Sequence, residues 1–209
     1  MNEKGREFKG LWGGKHYRRW AALFGMGPEF YRRGLGDLEL GDGMRALDLG
    51  CGPGALSLAL AQRAAPGAAI VGLDLSEDQL AYARTQAGGH ACALEFRRGS
   101  MDELPYPDGH FDLVMTSMAL HETPPAVRRA AVAETARVLR PGGLFLLVDW
   151  SRPRLGLWGV LWFPLVCRGE KNRDNWNNVY PALCAARSLD LAQDGYINSM
   201  VRRQLFRKS

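Results

Sequence analysis

The seven residues Asp48-Leu49-Gly50-Cys51-Gly52-Pro53-Gly54 limit the fold more than any other part of the chain. They follow a short apolar run, Ala46 to Leu49, and precede a helical pattern from Ala55 to Ala64. A turn this sharp from strand to helix needs glycine where φ is positive or where backbone must approach a ligand closely. The helix start also presents backbone N–H groups and a positive dipole end, which suit a carboxylate or phosphate. One helix and one strand later, Asp74 ends the segment Ala69 to Asp74. A carboxylate at that point can accept two hydrogen bonds from a ribose diol. Loop and acid together point to a nucleoside ligand. Nicotinamide and flavin sites use G-x-G-x-x-G/A, whereas here the third glycine falls one residue early, and no second glycine loop serves another nucleotide half.

The rest of the chain repeats the same alternation. A helix over Glu77–Gln86, capped by Ser76, follows the second strand. Strand signals recur at Ala93 to Arg97, Phe111 to Thr116 and Leu144 to Val148. A helix from about Ala126 to Leu139 stops at the breaker Arg140-Pro141-Gly142-Gly143. Tyr180 to Ala186 reads as one more helix, and Leu189 to Ala192 with Val201 to Phe206 as two closing strands. Strands alternating with helices imply right-handed crossovers and a parallel α/β sheet covered on both faces. With 209 residues and 46% apolar content, the chain is long enough for one domain with a substantial core. It divides into an N-terminal helical lid (1–43), a cofactor-binding core (44–150) and an apolar insertion with closing strands (151–209).

Several stretches, taken together, resemble class I S-adenosylmethionine-dependent methyltransferases of the type 11 branch, whose members include the ubiquinone/menaquinone C-methyltransferases. They are Leu47 to Gly54, Val71 to Ser76, Leu104 to Asp112, Ala119-Leu120-His121 and Arg137 to Gly143. The resemblance runs from about Met44 to Asp149, half the chain, and leaves out the ends, which in this family usually make the substrate site. It implies a Rossmann-like, mostly parallel seven-stranded sheet with an antiparallel last strand. It implies S-adenosylmethionine as cofactor and S-adenosylhomocysteine as product. Gly50, Cys51, Gly52 and Gly54 would form the loop against the methionine part, with Asp48 ordering it. Asp74 would hold the ribose hydroxyls, Leu75 would pack on the adenine, Met101 would offer its N–H to that ring, and Ser117 would lie near the methionine moiety. Where relatives often carry an Asp for the adenine amino group, this chain has Ser100, with Asp102 close behind. Tyr17, beside His16 on the first helix, would close over the cofactor as in relatives with a helical lid.

His121 follows strand four and is the candidate catalytic group, a neutral imidazole able to take a proton from an acceptor O–H or N–H. Asp149 and Trp150, ending strand five, would line the acceptor pocket. The acceptor itself is a small molecule, lipophilic in character. Thr116-Ser117-Met118-Ala119 is not the Asn/Asp-Pro-Pro-Tyr/Phe motif of enzymes acting on base amines, and the arginine doublets form no block despite a net charge of +5. Both observations argue against a nucleic-acid substrate. No histidine or cysteine spacing suggests a metal, and four scattered cysteines with a charged N-terminus fit a cytoplasmic protein. The tryptophan-rich run Leu155 to Cys167 is too short to span a bilayer. It has three readings: a lid, a core insertion, or a peripheral membrane contact.

Overall fold

The computed structural model describes residues 26–154 and 173–209. Tyr17, His16 and the run 155–167 therefore lie outside the described residues. Within them the chain runs α1 (Pro28–Leu35), β1 (Arg45–Leu49), α2 (Ala55–Ala61), β2 (Ala69–Asp74), α3 (Glu77–Gln86) and β3 (Ala93–Arg98). It continues through β4 (Phe111–Ser117), α4 (Pro125–Val138), β5 (Leu139–Trp150), α5 (Arg173–Trp176), α6 (Tyr180–Ala185), β6 (Leu189–Tyr196) and β7 (Val201–Lys208). The seven strands form one sheet in the order β3-β2-β1-β4-β5-β7-β6. Pairing is parallel from β3 through β5, and β7 runs antiparallel to both of its neighbours. This is the expected Rossmann-like sheet with its last strand reversed.

The sheet is apolar on both faces because neighbouring residues of its central strands feed opposite cores. Leu47, Val114, Phe145, Leu147 and Phe206 point to one side, where Ala131, Val132 and Ala136 of α4 and Tyr180 and Cys184 of α6 cover them. Ala46, Leu113, Met115, Leu146, Val148 and Leu205 point to the other, under Phe30 and Leu35 of α1 and Leu56 and Leu60 of α2. A one-residue slip of any such strand would exchange the two sets, so register is strongly specified.

Two boundaries differ from the sequence expectation. Arg140 to Gly143 does not separate helix from strand but lies inside β5, which pairs through Leu139 with Phe111 before the register shifts and resumes at Leu113 with Leu144. The breaker residues form an irregular stretch of strand, since Pro and Gly disrupt a ladder without ending it at a bulge. Ser76 does sit at the start of α3 with extended backbone, but its hydroxyl makes no cap hydrogen bond. Its N–H instead donates to Asp74 Oδ1 at 2.8 Å.

The order β3-β2-β1-β4 reverses direction between β1 and β4. Strand ends separate at such a switch point, and ligands of open α/β sheets bind there, beyond the carboxyl ends. Among the described residues no helix is long and apolar enough to cross a membrane.

Candidate functional site

A cleft opens at that switch point. Three strand ends build it: Asp48 and Gly50 to Pro53 at the end of β1, Asp74 and Leu75 at the end of β2, and Ser117 to Ala119 at the end of β4. Ala55 and Leu56 of α2, with Tyr31, Gln79, Met101, Glu122 and Thr123, complete the wall.

Glycine is required where the first and fourth strands deliver their loops. Gly50 has φ +66°, and a Cβ there would stand 2.5 Å from the Ala119 Cβ. Gly52, at φ +52°, has nothing within 4 Å of where its Cβ would be, so its bare backbone faces open space. Gly54 instead packs on Phe96, whose ring a Cβ would meet at 2.7 Å, and it is not part of the cleft wall. The loop N–H groups are largely used within the protein: those of Gly50 and Cys51 donate to the Leu73 carbonyl, at 2.8 and 3.0 Å. The loop thus offers close approach more than free amide donors.

Two carboxylates line the cleft beside it. Asp74 accepts the Gly52 N–H at 2.8 Å on one oxygen and the Ser76 N–H on the other. Asp48 is 1% exposed and accepts the Ser57 hydroxyl at 2.6 Å. Burial raises its pKa to about 7; hydrogen bonds from Ser57 resist the rise and the nearby Asp74 charge adds to it. Ser117 Oγ, also on the cleft wall, is buried and has no hydrogen-bond partner among the described residues. An orphaned hydroxyl in such a wall asks for a polar ligand.

The expected site residues are therefore sorted by the structure. Asp48, Gly50, Cys51, Gly52, Asp74, Leu75, Met101 and Ser117 come together on one cleft. Ser100 does not line it; its hydroxyl donates to the Asp102 carboxylate, and only Met101 between them reaches the wall. His121 stands behind the wall. Its Nδ1 lies 2.7 Å from Asp149 Oδ1, its backbone N–H donates to Asp149 Oδ2 at 3.1 Å, and its Nε2 lies 3.4 Å from Glu122.

Burial alone would lower the His121 pKa, but the Asp149 charge and hydrogen bond, aided by Glu122, outweigh it and raise the ring to about 9. The ring is thus an imidazolium at neutral pH, not the neutral proton acceptor expected from the sequence. Glu122, which does line the cleft, was not among the expected site residues. Its signal was a carboxylate placed just after the fourth strand's end, in Leu120-His121-Glu122. Among the described residues no cluster of His, Cys, Asp and Glu could hold a metal.

Arg128 of α4 holds this corner rigid. It is fully buried, and its guanidinium donates to the carbonyls of Leu120 and Thr123 and to Asp174 at 3.0 Å. The short turn Leu120–Glu122 is therefore fixed from behind.

Residues 46–143 match the family model described as a methyltransferase domain. The chain carries a methyltransferase domain. Two relatives illustrate the range of this family. A demethylmenaquinone methyltransferase of Thermus thermophilus is 36% identical over 133 residues, 63% of this chain and 59% of that protein. A fatty-acid O-methyltransferase of Mycolicibacterium smegmatis is 40% identical over 113 residues, 54% of this chain and 39% of its own length. The chain thus spans less than two thirds of either relative. The solved structure of a SAM-dependent methyltransferase from Aquifex aeolicus shares the fold at 17% identity, with a TM-score of 0.66 over 87% of this chain and 89% of that one.

The methyltransferase cleft fits the family's cofactor by its chemistry. Open backbone at Gly52, an orphaned hydroxyl at Ser117, two carboxylates and the apolar Leu75 and Met101 match a ligand that is part cation, part diol and part aromatic ring.

Proposed function

We propose that the chain binds S-adenosylmethionine in this cleft and transfers its methyl group to a small, lipophilic molecule. The observation that supports it most is the convergence of Gly52, Asp74, Asp48 and Ser117 on the carboxyl ends of β1, β2 and β4. When bound, the cofactor supplies a methyl group already activated by a positive sulfur. What remains for the protein is positioning and exclusion of water.

In this reading Asp74 holds the ribose hydroxyls, and Leu75 and Met101 flank the adenine. Asp48 and Ser117 meet the polar methionine part, and Asp48 in its ionised form favours a cation. Gly50, Cys51 and Gly52 let that part come against the backbone. Tyr17 closes over the cofactor, and the tryptophan-rich run 155–167 bounds the acceptor. We read 1–209 as one domain with 44–150 as its cofactor-binding core. The three buried thiols Cys51, Cys92 and Cys184 suit a reducing, cytoplasmic compartment.

Calorimetry with S-adenosylmethionine and S-adenosylhomocysteine, together with methyl-labelled cofactor and a small-molecule extract of the native cells, tests the reading. Binding with a labelled small-molecule product is the expected result. Binding without any product would make the chain a cofactor-binding scaffold, and absence of binding would overturn the site.

A further inference from the structure

Resting on the methyl-transfer reading above, we propose that Glu122 receives the acceptor's proton, and that the acceptor presents a hydroxyl or amine hydrogen and not a carboxylate. The geometry begins with three ionisable side chains in a row. Asp149 is 3% exposed and is fixed by the Trp150 N–H at 2.7 Å. His121 bridges from it, Nδ1 to Asp149 and Nε2 to Glu122. Glu122 ends the row; its side chain is 24% exposed, and of the three residues it is the one on the cleft wall. Its neighbours on the wall, Ala119 and Thr123, come from the same turn after β4, where Ser117 and Met118 also face the cleft.

The support under Glu122 is stiff. Arg128 grips the carbonyls on both sides of it, Leu120 at 2.9 Å and Thr123 at 2.7 Å, and the Thr123 hydroxyl donates to Leu120. The backbone that carries Glu122 is thus fixed, and His121 stands beside its carboxylate at 3.4 Å, so the side chain starts from a set position, as general-base work needs.

Charge then narrows the acceptor. The imidazolium offsets one of the two carboxylates it joins, so the row keeps a net negative charge. Asp74 is a further carboxylate on the same cleft. A carboxylate acceptor would place another negative charge beside Glu122, which a partly dry cleft disfavours. A neutral hydroxyl or amine donates a hydrogen bond to Glu122 instead.

Transfer is a single displacement. A lone pair on the acceptor's oxygen or nitrogen attacks the methyl carbon. The carbon–sulfur bond of the sulfonium donor breaks, and its electron pair stays on sulfur, giving the neutral thioether. A carbon–oxygen or carbon–nitrogen bond forms as the acceptor's hydrogen leaves as a proton to the Glu122 carboxylate. That proton passes to solvent at the exposed part of the side chain. His121 and Asp149 act as positioning residues, touching Glu122 and not the reacting atoms.

The test uses the full chain, methyl-labelled S-adenosylmethionine and a small-molecule extract of the native cells, with products identified by mass analysis. Labelled ethers or methylated amines are expected, and Glu122→Gln lowers their formation on the order of 100-fold, the usual worth of a general base. Binding of S-adenosylhomocysteine by the same variant is measured in parallel, and product formation is compared at saturating donor, so that a change in donor affinity is separated from a loss of transfer. In the ligand-free protein, nitrogen-detected titration of the His121 ring shifts downward in Glu122→Gln, which checks the ion pair that makes the three side chains one row.

Labelled methyl esters of carboxylic acids would overturn the inference while leaving methyl transfer intact. So would a Glu122→Gln variant as active as the parent, or an unmoved His121 titration. If the parent binds S-adenosylhomocysteine yet labels nothing, the methyl-transfer reading itself fails, and this inference with it.

Discussion

The backbone N–H of Gly52 donates to Asp74 Oδ2 at 2.8 Å, which ties the glycine loop after β1 to the acid at the end of β2. Two features that are 22 residues apart in sequence therefore behave as one binding element. The other Asp74 oxygen is held by Ser76, at the start of α3. The carboxylate is oriented before any ligand arrives, so little ordering cost is left for binding.

Removing that carboxylate should be felt twice, in the lost ligand contact and in a loosened loop. Asp74→Ala is expected to weaken S-adenosylhomocysteine binding by about 1.5–3 kcal/mol, the range for hydrogen bonds to a charged group. Asp74→Asn, which keeps one acceptor oxygen, should lose less. Calorimetry giving the parent's affinity for the alanine variant would remove Asp74 from the site.

Asp48 makes cofactor affinity pH-dependent. Its carboxyl titrates at about 7 in the ligand-free protein, raised by burial. A cationic ligand favours the ionised form, so binding expels a proton when the pH is below that value. Affinity for S-adenosylmethionine should rise as pH goes from 6 to 8 and then level off. Asp48→Asn should flatten the rise. Calorimetry in buffers of different ionisation enthalpy would detect the released proton, and equal apparent enthalpies at pH 6 would sink the idea.

His121 makes stability pH-dependent in the opposite experimental setting, without ligand. Its pKa is raised from 6.5 to about 9 on folding, so the folded state binds its proton more tightly than the unfolded state does. The resulting stability is fully present below 6.5 and is lost as pH rises through 9. Its size is on the order of a few kcal/mol, since every tenfold gain in proton affinity on folding is worth about 1.4 kcal/mol. Urea unfolding between pH 6 and 10 should show this fall, and His121→Gln should remove most of it. An unchanged slope in that variant would assign the pH dependence elsewhere.

Much of the fold was legible because its signals are local. The strand segments follow runs such as Ala69 to Asp74 and Phe111 to Thr116, and the turn residues between them are specific. The first half of the cleft was legible for the same reason: Gly50, Gly52 and Asp74 occupy fixed offsets from strand ends. The roles of His121 and Glu122 were not. Asp149 is 28 residues from His121, and only the pairing of β4 with β5 brings it under the ring and charges it. Likewise, Ser100 stands at a cofactor position by sequence, yet its hydroxyl turns to Asp102. The breaker at Arg140 to Gly143 misled because propensity speaks of isolated backbone, whereas neighbouring strands can carry a bulge through it.

Arg128 carries the corner that presents Glu122, and its substitution should cost more stability than any surface charge in the protein. The guanidinium is 0% exposed and serves three acceptors: the Leu120 and Thr123 carbonyls and the Asp174 carboxylate. Replacing it with Met leaves a similar volume but takes the guanidinium from the Thr123 carbonyl and from Asp174, while the Leu120 carbonyl keeps the Thr123 N–H and hydroxyl. Breaking a buried pair from one side typically costs about 3–5 kcal/mol. Asp174→Asn should cost clearly less, because that carboxylate is 21% exposed and water can replace part of what it loses. The two variants also separate stability from positioning. Arg128→Met should lower the urea midpoint strongly and impair methyl transfer, whereas S-adenosylhomocysteine binding persists wherever the protein remains folded, since Arg128 does not line the cleft. A midpoint for Arg128→Met equal to the parent's would mean that the turn Leu120–Glu122 is held by something other than this side chain.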